Sequence, residues 1–562
     1  MTGPDLLLTG GGVLSPDGRP RYGQAVLVRD GRIVAVLPAD DAHAARTSRT
    51  ETVDLCGRLL LPGFVDAHAH PLWGGLERLS CDLLEVPRTV ADYQHVIAAA
   101  AAAHPDWPWI SGGGWSFEAF PGGAPTAAMI DAVVRERPVV LFNRDHHGVW
   151  ANSRALLEAG VDERTPDPPD GRIDRDADGR PTGMLHEGAA SLVTSLLPEP
   201  SEEMLDAALA EARRTLVPLG VTGWSEAILG AYAGQPDPTP AYLRAAAAGR
   251  LDVAVSGALW WDRAGGLEQV ERLVARRQEA AEAGFATPLV KIMVDGIIEN
   301  GTAAMVEDYL DASGRPSGDR GLSFVPRERL LEALPALEAA GFAVHMHAIG
   351  DRAVRDALDA VDVAAAQRHA AGRAALPVPH QVAHLQVVRP DDMPRFGGLG
   401  VVATCQALWA CHEPQMDDFT LPVLGEPRDG WQYPFGAIAA AGGRLALGSD
   451  WPVSSAHPWE QVHVAVTRTP PDVRDLSPDD PHARPLLPEQ ALGLAAALHA
   501  GTAGSAFAAG LPDVGTLAPG QRAHLVVASD DPFLLPGEDL ASLRADLVLL
   551  DGEVVAADGV LV

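Results

Sequence analysis

Six residues with metal-binding or nucleophilic side chains stand at or near the ends of apolar segments that the sequence predicts to be buried strands. They are His68, His70, Lys291, His347, His384 and Asp450. Imidazole nitrogens and carboxylate oxygens are the ligands that zinc and similar divalent ions prefer. In D-A-H-A-H, residues i and i+2 of a strand point to the same side, so both imidazoles can face one ion. The pattern predicts a site for one or two divalent ions, zinc first, with manganese or iron as alternatives.

Lys291 is the only lysine in the chain, whereas the other 42 residues of the Lys+Arg total are arginines. A lysine among apolar neighbours can be a snorkelling side chain or half of a buried ion pair. The use of arginine everywhere else indicates instead a task that needs a primary amine, because burial lowers the pKa of an amine and exposes its nucleophilic form. Such an amine can take up CO2 as a carbamate whose oxygens bridge two metal ions. A free catalytic amine is the alternative.

Asp450, in L-G-S-D-W-P, ends the last predicted strand of the series. A carboxylate at this position can hold a metal ion, accept the proton of an attacking water and pass that proton to a leaving group. An aspartate after a strand can also cap the next helix. Its place at the strand end favours the catalytic interpretation.

The elements that must position these residues alternate between strand and helix. Eight apolar strand candidates lie between LPGFVDAHAH at residues 61–70 and RLALGSD at residues 444–450. Alternating buried strands and helices favour a parallel sheet, and eight such units favour a closed (β/α)8 barrel with its active site at the carboxyl ends of the strands. An open doubly wound sheet is the alternative, but no strand is followed by a glycine-rich phosphate loop.

Both ends of the chain show short strands with hairpin turns such as R-D-G and L-D-G. We therefore predict one discontinuous β-sandwich domain from residues 1–60 and 505–562, and a barrel domain from residues 61–504. The gap after the first barrel strand is too long for one βα unit. Residues 71–200 are predicted to form an inserted cap, with a second insertion near residues 406–433.

Charge and cysteine usage limit the function classes. The formal net charge of −32 argues against nucleic-acid partners. Four cysteines without paired metal spacing fit a reducing cytosol. Because we find no secretory signal or membrane-spanning apolar run, we expect a cytoplasmic protein without a membrane partner. A homodimer is left open.

Several segments resemble the metal-dependent amidohydrolase superfamily, within it the amidohydrolase family 3 branch of YtcJ-like proteins and N-substituted formamide deformylases. The similarity covers nearly the whole chain, and its motifs together are specific. They are P-G-F-V-D-A-H-A-H, V-K-I-M-V-D-G, H-A-I-G-D-R-A-V, V-A-H-L-Q and G-S-D-W-P-V.

The resemblance implies a distorted barrel with a β-sandwich from both termini, and a set of six metal ligands. These are His68, His70 and Asp450 for one ion, His347 and His384 for a second, and Lys291 as a carboxylated bridge. Two departures stand out. His345 is a spare histidine whose predicted side-chain direction matches that of His347, and the D-G-S that follows the lysine in the family is D-G-I here.

Four residues of the insertion are candidates for substrate contact. His147, Asn152 and Glu187 match the pattern of the branch, although each can equally make a loop hydrogen bond. Trp115 belongs to a group of tryptophans near predicted loops that can form an aromatic pocket wall or simply pack in a core.

The predicted reaction is hydrolysis of a C–N bond, other than a peptide bond, in a small N-formyl or N-acyl amine. Asp450 would transfer the proton, and a second ion or His384 would polarise the carbonyl oxygen. A deaminase and a cyclic amide or lactone hydrolase are alternatives. Gly350 stands where deaminases of the superfamily carry a glutamate, which argues against the deaminase. The six ligand candidates argue against a non-catalytic scaffold.

Overall fold

The computed structural model describes residues 5–42, 44–477 and 479–562. The strands of these residues are β1 (Asp5–Thr9), β2 (Gly12–Leu14), β3 (Pro20–Tyr22), β4 (Gln24–Arg29), β5 (Arg32–Pro38), β6 (Thr50–Asp54), β7 (Leu59–Pro62), β8 (Phe64–Ala69), β9 (Cys81–Asp82), β10 (Ile110–Trp115), β11 (Val139–Asn143), β12 (Gly148–Ala151), β13 (Gly171–Arg175), β14 (Pro181–Glu187), β15 (Val221–Leu229), β16 (Ala254–Trp260), β17 (Ala286–Met293), β18 (Ala343–Ala348), β19 (Gln381–His384), β20 (Val402–Cys405), β21 (Arg444–Leu447), β22 (Leu525–Ala528), β23 (Ala545–Leu550), β24 (Glu553–Ala557) and β25 (Val560–Leu561).

The helices are α1 (Ala39–Ala42), α2 (Pro71–Arg78), α3 (Val90–Ala103), α4 (Ala127–Asp131), α5 (Ser153–Ala159), α6 (Ser191–Thr194), α7 (Glu202–Leu216), α8 (Thr239–Ala247), α9 (Gln269–Glu282), α10 (Arg327–Ala339), α11 (Asp351–Ala370), α12 (Met393–Leu399), α13 (Leu421–Leu424), α14 (Phe435–Ala440), α15 (Pro458–Thr467), α16 (Leu494–His499) and α17 (Ser505–Ala509). Within the described ranges no single helix is long and apolar enough to cross a membrane, although one bent pair, Pro481–Gln490 with Leu494–Ala509, passes by length and composition.

Eight parallel strands form the barrel in the order β21-β20-β19-β18-β17-β16-β15-β8. Every residue of β8, β15 and β18 is buried. Such strands are covered on both faces, inside by the barrel core and outside by helices, so their sequences are nearly continuous apolar runs with a few functional side chains. This confirms the predicted (β/α)8 barrel.

The barrel is distorted where its first and last strands meet. Among the described residues β21 and β8 share no ladder of backbone hydrogen bonds. The gap is closed beyond the strand ends, where the Asp450 backbone N–H donates to the His68 carbonyl at 2.8 Å and the His70 N–H donates to the Trp451 carbonyl at 2.8 Å. The seam between the first and last strands is thus held by residues that are, or adjoin, the predicted metal ligands.

A buried carboxylate reinforces the same seam. Asp66 on β8 accepts the backbone N–H of Ser449 at 3.0 Å and the Ser449 hydroxyl through its second oxygen at 2.5 Å. Asp66 also accepts the backbone N–H of His68 at 3.1 Å. One side chain therefore orders the strand end that carries the histidine pair and the turn that carries Asp450.

Two sheets built from both chain ends pack on each other. One has the order β5-β4-β1-β6 and the other the order β25-β24-β23-β22-β7-β2-β3. Leu8 and Val26 of the first sheet share a core with Leu60 and Leu525 of the second, as a sandwich requires. Helix α17, inside the predicted terminal segment, packs Ala506 and Ala509 against the barrel instead. The exact domain boundaries stay a prediction.

The insertion after β8 carries its own sheet, in the order β13-β14-β12-β11-β10-β9. Separate apolar cores cover the two faces of this sheet, one around Trp115 and Trp150 and the other around Val140 and Leu185. An insertion with two cores of its own can present rigid loops to the barrel mouth, which is the arrangement expected of a cap.

Replacing the seam serine tests how much the Asp66 contact stabilises the barrel. Ser449→Ala removes the hydroxyl that Asp66 accepts and leaves one buried carboxylate oxygen without this donor. We expect the free energy of unfolding in urea to fall by about 1–3 kcal/mol. Ser48→Ala, at an exposed serine, is the control and should change it by less than about 0.5 kcal/mol. Equal stability of the two variants would contradict a role for this contact in closing the barrel.

Candidate metal centre

All six predicted ligands come together at the carboxyl end of the barrel and line one cavity. Each is at least nine-tenths buried: His68, His70, Lys291, His347, His384 and Asp450. They reach the cavity because parallel barrel strands end at the same rim, so residues far apart in sequence become neighbours. The predicted convergence of these side chains is what the structure has.

Three of the six form a compact ligand group. One ligand atom each from His68, His70 and Asp450 lies within 4.8 Å of the other two. His68 Nε2 and His70 Nε2 are 3.3 and 3.2 Å from Asp450 Oδ1. Neither contact has hydrogen-bond geometry, and Asp450 Oδ1 is a buried oxygen without a hydrogen-bond partner. Two imidazole nitrogens and a carboxylate oxygen that converge in this way fit a divalent cation of the zinc type.

Electrostatics keep this group in its ligating form. Burial alone would raise the pKa of Asp450, but the neighbouring imidazoles of His68, His70 and His384 hold it well below its usual value. Burial lowers the pKa of His68 to about 3, so its imidazole is neutral at physiological pH. A neutral imidazole and an ionised carboxylate are the forms in which these residues bind metal.

Lys291 lies beside this group on β17. Its Nζ is 3.4 Å from His68 Nε2, and its side chain is 1% exposed. Burial lowers the pKa of the Lys291 amine to about 7, against an opposing effect of Asp450. A substantial fraction of the amine is therefore uncharged at neutral pH, which is the form that reacts with electrophiles.

His347 and His384 form the other side of the cavity, with ring centroids 4.3 Å apart. The Nε2 atom of His347 is 3.2 Å from the Gly296 carbonyl, which fixes the ring from behind. His384 Nδ1 is buried without a hydrogen-bond partner and lies 3.9 Å from Asp450 Oδ2. Two histidines alone do not complete a second ion site, so a second ion would depend on a further ligand such as a carboxylated Lys291.

The backbone is strained at two of the ligands. His384 has φ 77° and Asp450 has φ 58°, both in the left-handed region that side chains other than glycine rarely adopt. Such conformations cost about 1–3 kcal/mol each and persist where surrounding contacts impose them. The Gln406 side chain accepts the His384 backbone N–H at 2.8 Å and is one such contact.

Sequence reasoning missed two buried carboxylates behind the ligands. Glu226 on β15 accepts the Tyr242 hydroxyl at 2.9 Å, and its other oxygen is 3.7 Å from His70 Nδ1. Asp295 accepts the backbone N–H groups of Ile349 and Gly350 at 3.0 and 2.8 Å and so shapes the loop after β18. The sequence does contain a sign of them, because an acidic residue inside an apolar strand, or directly after one, is seldom buried unless it is paired with another group.

Burial explains why both carboxylates resist ionisation. It raises the pKa of Glu226 to about 8, although the Tyr242 hydroxyl bond favours the charged form. It raises the pKa of Asp295 to about 7 against the backbone donors that favour the charged form. A carboxyl behind a metal-ligating histidine commonly orients that ring.

The spare histidine, His345, lies one layer deeper than His347 in the barrel interior. Its Nε2 is 2.7 Å from His68 Nδ1, and its Nδ1 is 2.8 Å from Gln381 Oε1. It does not line the cavity of the ligands. Because residues i and i+2 of a strand point to the same side, the sequence places His345 and His347 on one face of β18. It does not say how deep each lies in the barrel, and His345 differs from the ligands in this depth.

Two of the predicted substrate residues, His147 and Glu187, form a buried pair at the cavity. His147 lines the cavity with its ring centroid 5.5 Å from that of His347. Its Nδ1 is 2.8 Å from Glu187 Oε1, which also accepts the Thr302 hydroxyl at 3.0 Å. Although burial opposes protonation, the Glu187 carboxylate raises the pKa of His147 to about 9. His147 therefore presents an imidazolium from the cap to the space above the ligands.

The other two predicted substrate residues lie away from this cavity. Asn152 caps α5, and its side chain forms hydrogen bonds only with backbone groups in the described residues. It accepts from the N–H groups of Val139 and Ala155 and donates to the carbonyls of Val134 and Arg137. The Trp115 indole donates to the Leu141 carbonyl at 2.9 Å, and its ring packs in a core of the cap. Both residues hold the cap together, in place of the predicted substrate contact.

Two other members of the predicted group of tryptophans, Trp73 and Trp409, form an aromatic wall beside the ligands. Trp73 stacks on His70 with centroids 4.7 Å apart and an interplanar angle of 7°. Trp409, from the second insertion, stacks on His384 with centroids 5.2 Å apart and an angle of 2°. These flat contacts restrict the rotation of two ligand rings and give the cavity apolar sides.

The ligand cavity adjoins a much larger one. The inner cavity has a volume of about 40 Å³ and the outer cavity about 670 Å³. Asp145, Ile297, Ile349, Trp409 and Val453 line both. A small reacting group can thus reach the ligands while a larger substituent stays in the outer cavity.

This fold and site define a metal-dependent hydrolase with a (β/α)8 barrel, and comparison with known proteins agrees. A family model described as the amidohydrolase family matches residues 51–556. Over 541 residues the chain is 30% identical to Protein LONG AFTER FAR-RED 3 of Arabidopsis thaliana, covering 94% of this chain and 88% of that protein. It is 26% identical to N-substituted formamide deformylase of Arthrobacter pascens over 560 residues, covering 98% and 97% of the two chains.

The fold has a close counterpart among solved structures. An uncharacterized metal-dependent hydrolase from Pyrococcus horikoshii superposes with a TM-score of 0.71 at 22% identity, covering 95% of this chain and 99% of that one. With the family model spanning most of the sequence, the chain belongs to the amidohydrolase family, and it is a hydrolase that acts on carbon–nitrogen bonds.

The His147–Glu187 pair predicts a pH dependence of stability. The pKa of His147 rises from 6.5 unfolded to about 9 folded, so the pair stabilises fully below pH 6.5 and loses that effect as pH rises through 9. Across this window the wild-type free energy of unfolding should fall with pH by up to about 1.4 kcal/mol per unit more than that of Glu187→Gln. Urea unfolding at several pH values measures the difference.

Groups other than His147 that titrate in this window are common to both proteins, so the difference between the two curves isolates the pair. Glu163→Gln, at an exposed glutamate, is the matched control and should run parallel to wild type. Parallel curves for wild type and Glu187→Gln would show that His147 is not an imidazolium in the folded protein.

Proposed function

We propose that the protein hydrolyses the C–N bond of an N-formyl or short N-acyl amine, releasing a carboxylic acid and an amine. The observation that carries this is the buried group of His68, His70 and Asp450, which faces the His147 imidazolium across the ligand cavity. A divalent ion held by these ligands would polarise the carbonyl and lower the pKa of the attacking water. Zinc suits the nitrogen and oxygen donors best, with manganese and iron as alternatives.

The residues of the chain supply the remaining steps. Asp450 Oδ1 faces the imidazoles of His68 and His70 where the ion would lie, so Asp450 Oδ2 can accept the proton of the attacking water. When the tetrahedral carbon collapses, the C–N bond breaks and Asp450 returns that proton to the leaving nitrogen. His147 can donate a hydrogen bond to the oxygen on which negative charge develops. His384 Nδ1, if it is not bound to a second ion, can donate there in its protonated tautomer.

The two cavities support the substrate class. About 40 Å³ beside the ligands is room for a few water molecules, since a cavity needs about 10–15 Å³ to hold one. A formyl group fits this limit better than a bulky acyl group does. The outer cavity of about 670 Å³ is in the range of sites for drug-sized ligands and can hold the substituent on the amine. A relative over nearly the full chain is named N-substituted formamide deformylase.

For Lys291 we propose the carbamate. Its neutral Nζ would add to CO2, forming an N–C bond and releasing a proton, and the new carboxylate would face the same cavity as His347 and His384. The additional oxygens would complete a second ion position, which two histidines alone do not provide. The free amine is the alternative, but Lys291 lines the same cavity as the candidate ligands, which favours a role at the ions.

Deamination is the rival reaction. The position of the glutamate that transfers the proton in deaminases of the superfamily is occupied here by Gly350, which argues against this reaction. Gly350 has no side chain, and its backbone N–H donates to Asp295 at 2.8 Å. No carboxylate can therefore act from this position.

Metal removal combined with a substrate panel tests the function. We expect metal-free protein to be inactive, and Zn²⁺ or Mn²⁺ to restore release of formate and amine from N-substituted formamides. The panel should include N-acetyl amines, acyl amino acids, cyclic amides and lactones, each assayed by product analysis. Purified protein without bound Zn, Mn or Fe, and without any gain on their addition, would refute the hydrolase mechanism. Ammonia released from an amino-heterocycle would favour the deaminase.

Lys291→Arg tests the carbamate. Arginine keeps the positive charge but cannot be carboxylated, so we expect fewer bound ions, activity lower by roughly 100-fold or more, and cooperative unfolding close to that of wild type. Because the chain has one lysine, a carbamate signal in ¹³C NMR after equilibration with ¹³C-bicarbonate reports on Lys291 if Lys291→Arg lacks it.

Arg272→Lys, which adds an exposed lysine, is the control for this signal and should not increase it, because an exposed ammonium stays protonated. Undiminished activity in Lys291→Arg would rule out the carbamate. Lost activity in that variant without a ¹³C signal in wild type would favour the free amine.

A further inference from the structure

A row of three side chains crosses the barrel interior directly behind the ligand cavity. His68 on β8 contacts His345 on β18, and His345 contacts Gln381 on β19, through atoms 2.7 and 2.8 Å apart. All three residues are at most 1% exposed. We call this set the His68–His345–Gln381 row. Only its first member belongs to the metal ligands.

The far end of the row fixes the direction of every hydrogen bond in it. Gln381 lies 2.5 Å from the Ala508 carbonyl oxygen, which can only accept, so the nitrogen of the Gln381 amide must face Ala508. The oxygen of that amide then faces His345. Thr404 supports this orientation, because its hydroxyl donates to the same oxygen at 3.3 Å.

The proton positions on both imidazoles follow from that orientation. Gln381 Oε1 is an acceptor, so His345 Nδ1 must carry the proton, and His345 Nε2 then accepts in a neutral ring. His68 Nδ1 must be the donor to it. His68 Nε2 is left with a free lone pair, and this is the nitrogen 3.3 Å from Asp450 Oδ1 and 3.4 Å from Lys291 Nζ.

We propose that His345, held by Gln381, is a positioning residue that fixes the tautomer and ring orientation of His68 so that Nε2 is always the ligating nitrogen. His345 is not itself a ligand, because both of its ring nitrogens are occupied by the row and it does not line the cavity. A metal-ligating histidine usually donates its second N–H to a carboxylate, a carbonyl or water. Here another histidine takes that role, and its acceptor capacity is set by an amide two side chains away from the cavity.

This inference rests on the proposed metal-dependent function, but the Zn²⁺ affinity that it concerns can be measured without turnover. Without the row, metal-free His68 could place its proton on either nitrogen, and the tautomer with the proton on Nε2 cannot bind. Loss of such an orienting partner lowers metal affinity by about 10- to 100-fold.

A matched pair of variants separates the acceptor from the packing. Glutamine and methionine have similar length and volume, but only glutamine offers an oxygen that can accept a hydrogen bond from the His68 Nδ1–H group. We expect His345→Gln to bind Zn²⁺ within about threefold of wild type and His345→Met to bind it about 10- to 100-fold more weakly. Competition with a zinc chelator of known affinity measures both constants in the full chain.

A third variant changes the residue at the far end of the row, which contacts no metal ligand. Gln381→Met removes the acceptor for His345 Nδ1 without touching any ligand, so His345 can turn or change tautomer, and Zn²⁺ binding should again weaken. This variant keeps the inference testable if His345→Met does not fold. Urea unfolding identifies variants that are folded.

Nitrogen NMR of metal-free protein labelled with ¹⁵N-histidine gives a readout that a merely structural role would not move. The His68 signals, assigned by their loss in His68→Gln, should show a protonated Nδ1 and an unprotonated Nε2 in wild type and His345→Gln. In His345→Met they should shift toward a mixture of tautomers.

Three results would overturn the inference: wild-type affinity in His345→Met, equal weakening in the glutamine and methionine variants, or a proton on His68 Nε2 in wild type. Failure of the proposed function has a different signature. A wild-type protein that binds Zn²⁺ tightly but hydrolyses no amide would refute the hydrolysis and leave the affinity order of these variants as expected.

Discussion

The seam between the first and last barrel strands is the constraint on which the site depends. A regular barrel would close this gap with backbone hydrogen bonds, but β8 and β21 share no ladder in the described residues. The Asp66 carboxylate and two backbone contacts beyond the strand ends hold the edges together. Because His68, His70 and Asp450 lie at that closure, the groups that complete the fold also set the spacing of the ligands. Fold stability and ligand geometry are therefore coupled at this seam.

The residues around the candidate ligands hold the ligand side chains and their backbone in fixed conformations. His384 and Asp450 hold left-handed backbone conformations, and Trp409 and Trp73 stack on ligand rings. In a loosely packed region these side chains would relax, hydrogen-bond to one another and leave no space for an ion. Tight packing prevents this, because a core close to crystalline density does not deform continuously. The strained backbone at His384 and Asp450 thus indicates that packing holds these side chains in positions suited to an ion and not to contacts with one another.

The barrel and the convergence of the candidate ligands could be predicted because both follow from local patterns. Apolar runs such as β15 and β18 identify buried parallel strands, and the ends of parallel strands meet at one rim whatever the loops do. The contacts of His345 with His68 and Gln381 could not be predicted, since alternation along a strand defines the side on which a residue lies but not its depth in the barrel. Glu226 lies inside an apolar strand, whose pattern predicts burial but not the contact of the carboxylate with Tyr242.

The cap was harder to interpret for a different reason. His147 and Asn152 are five residues apart and equally polar, yet one lines the cavity and the other caps a helix. Which way a loop residue faces depends on how the cap sheet docks on the barrel, and no local periodicity encodes that. Trp115 shows the same limit, because a large aromatic residue fits a core and a pocket wall equally well.

The single lysine has a consequence for the chemistry of the whole surface. Since Lys291 is 1% exposed and every other member of the Lys+Arg total is arginine, the exposed face of this protein carries no lysine amine. Acylating reagents, reducing sugars and aldehyde crosslinkers, which modify most proteins at many lysines, would meet one lysine amine here, buried in the cavity of the candidate ligands. Acetylation of lysine could modify this protein only at Lys291, inside the cavity that the candidate metal ligands line.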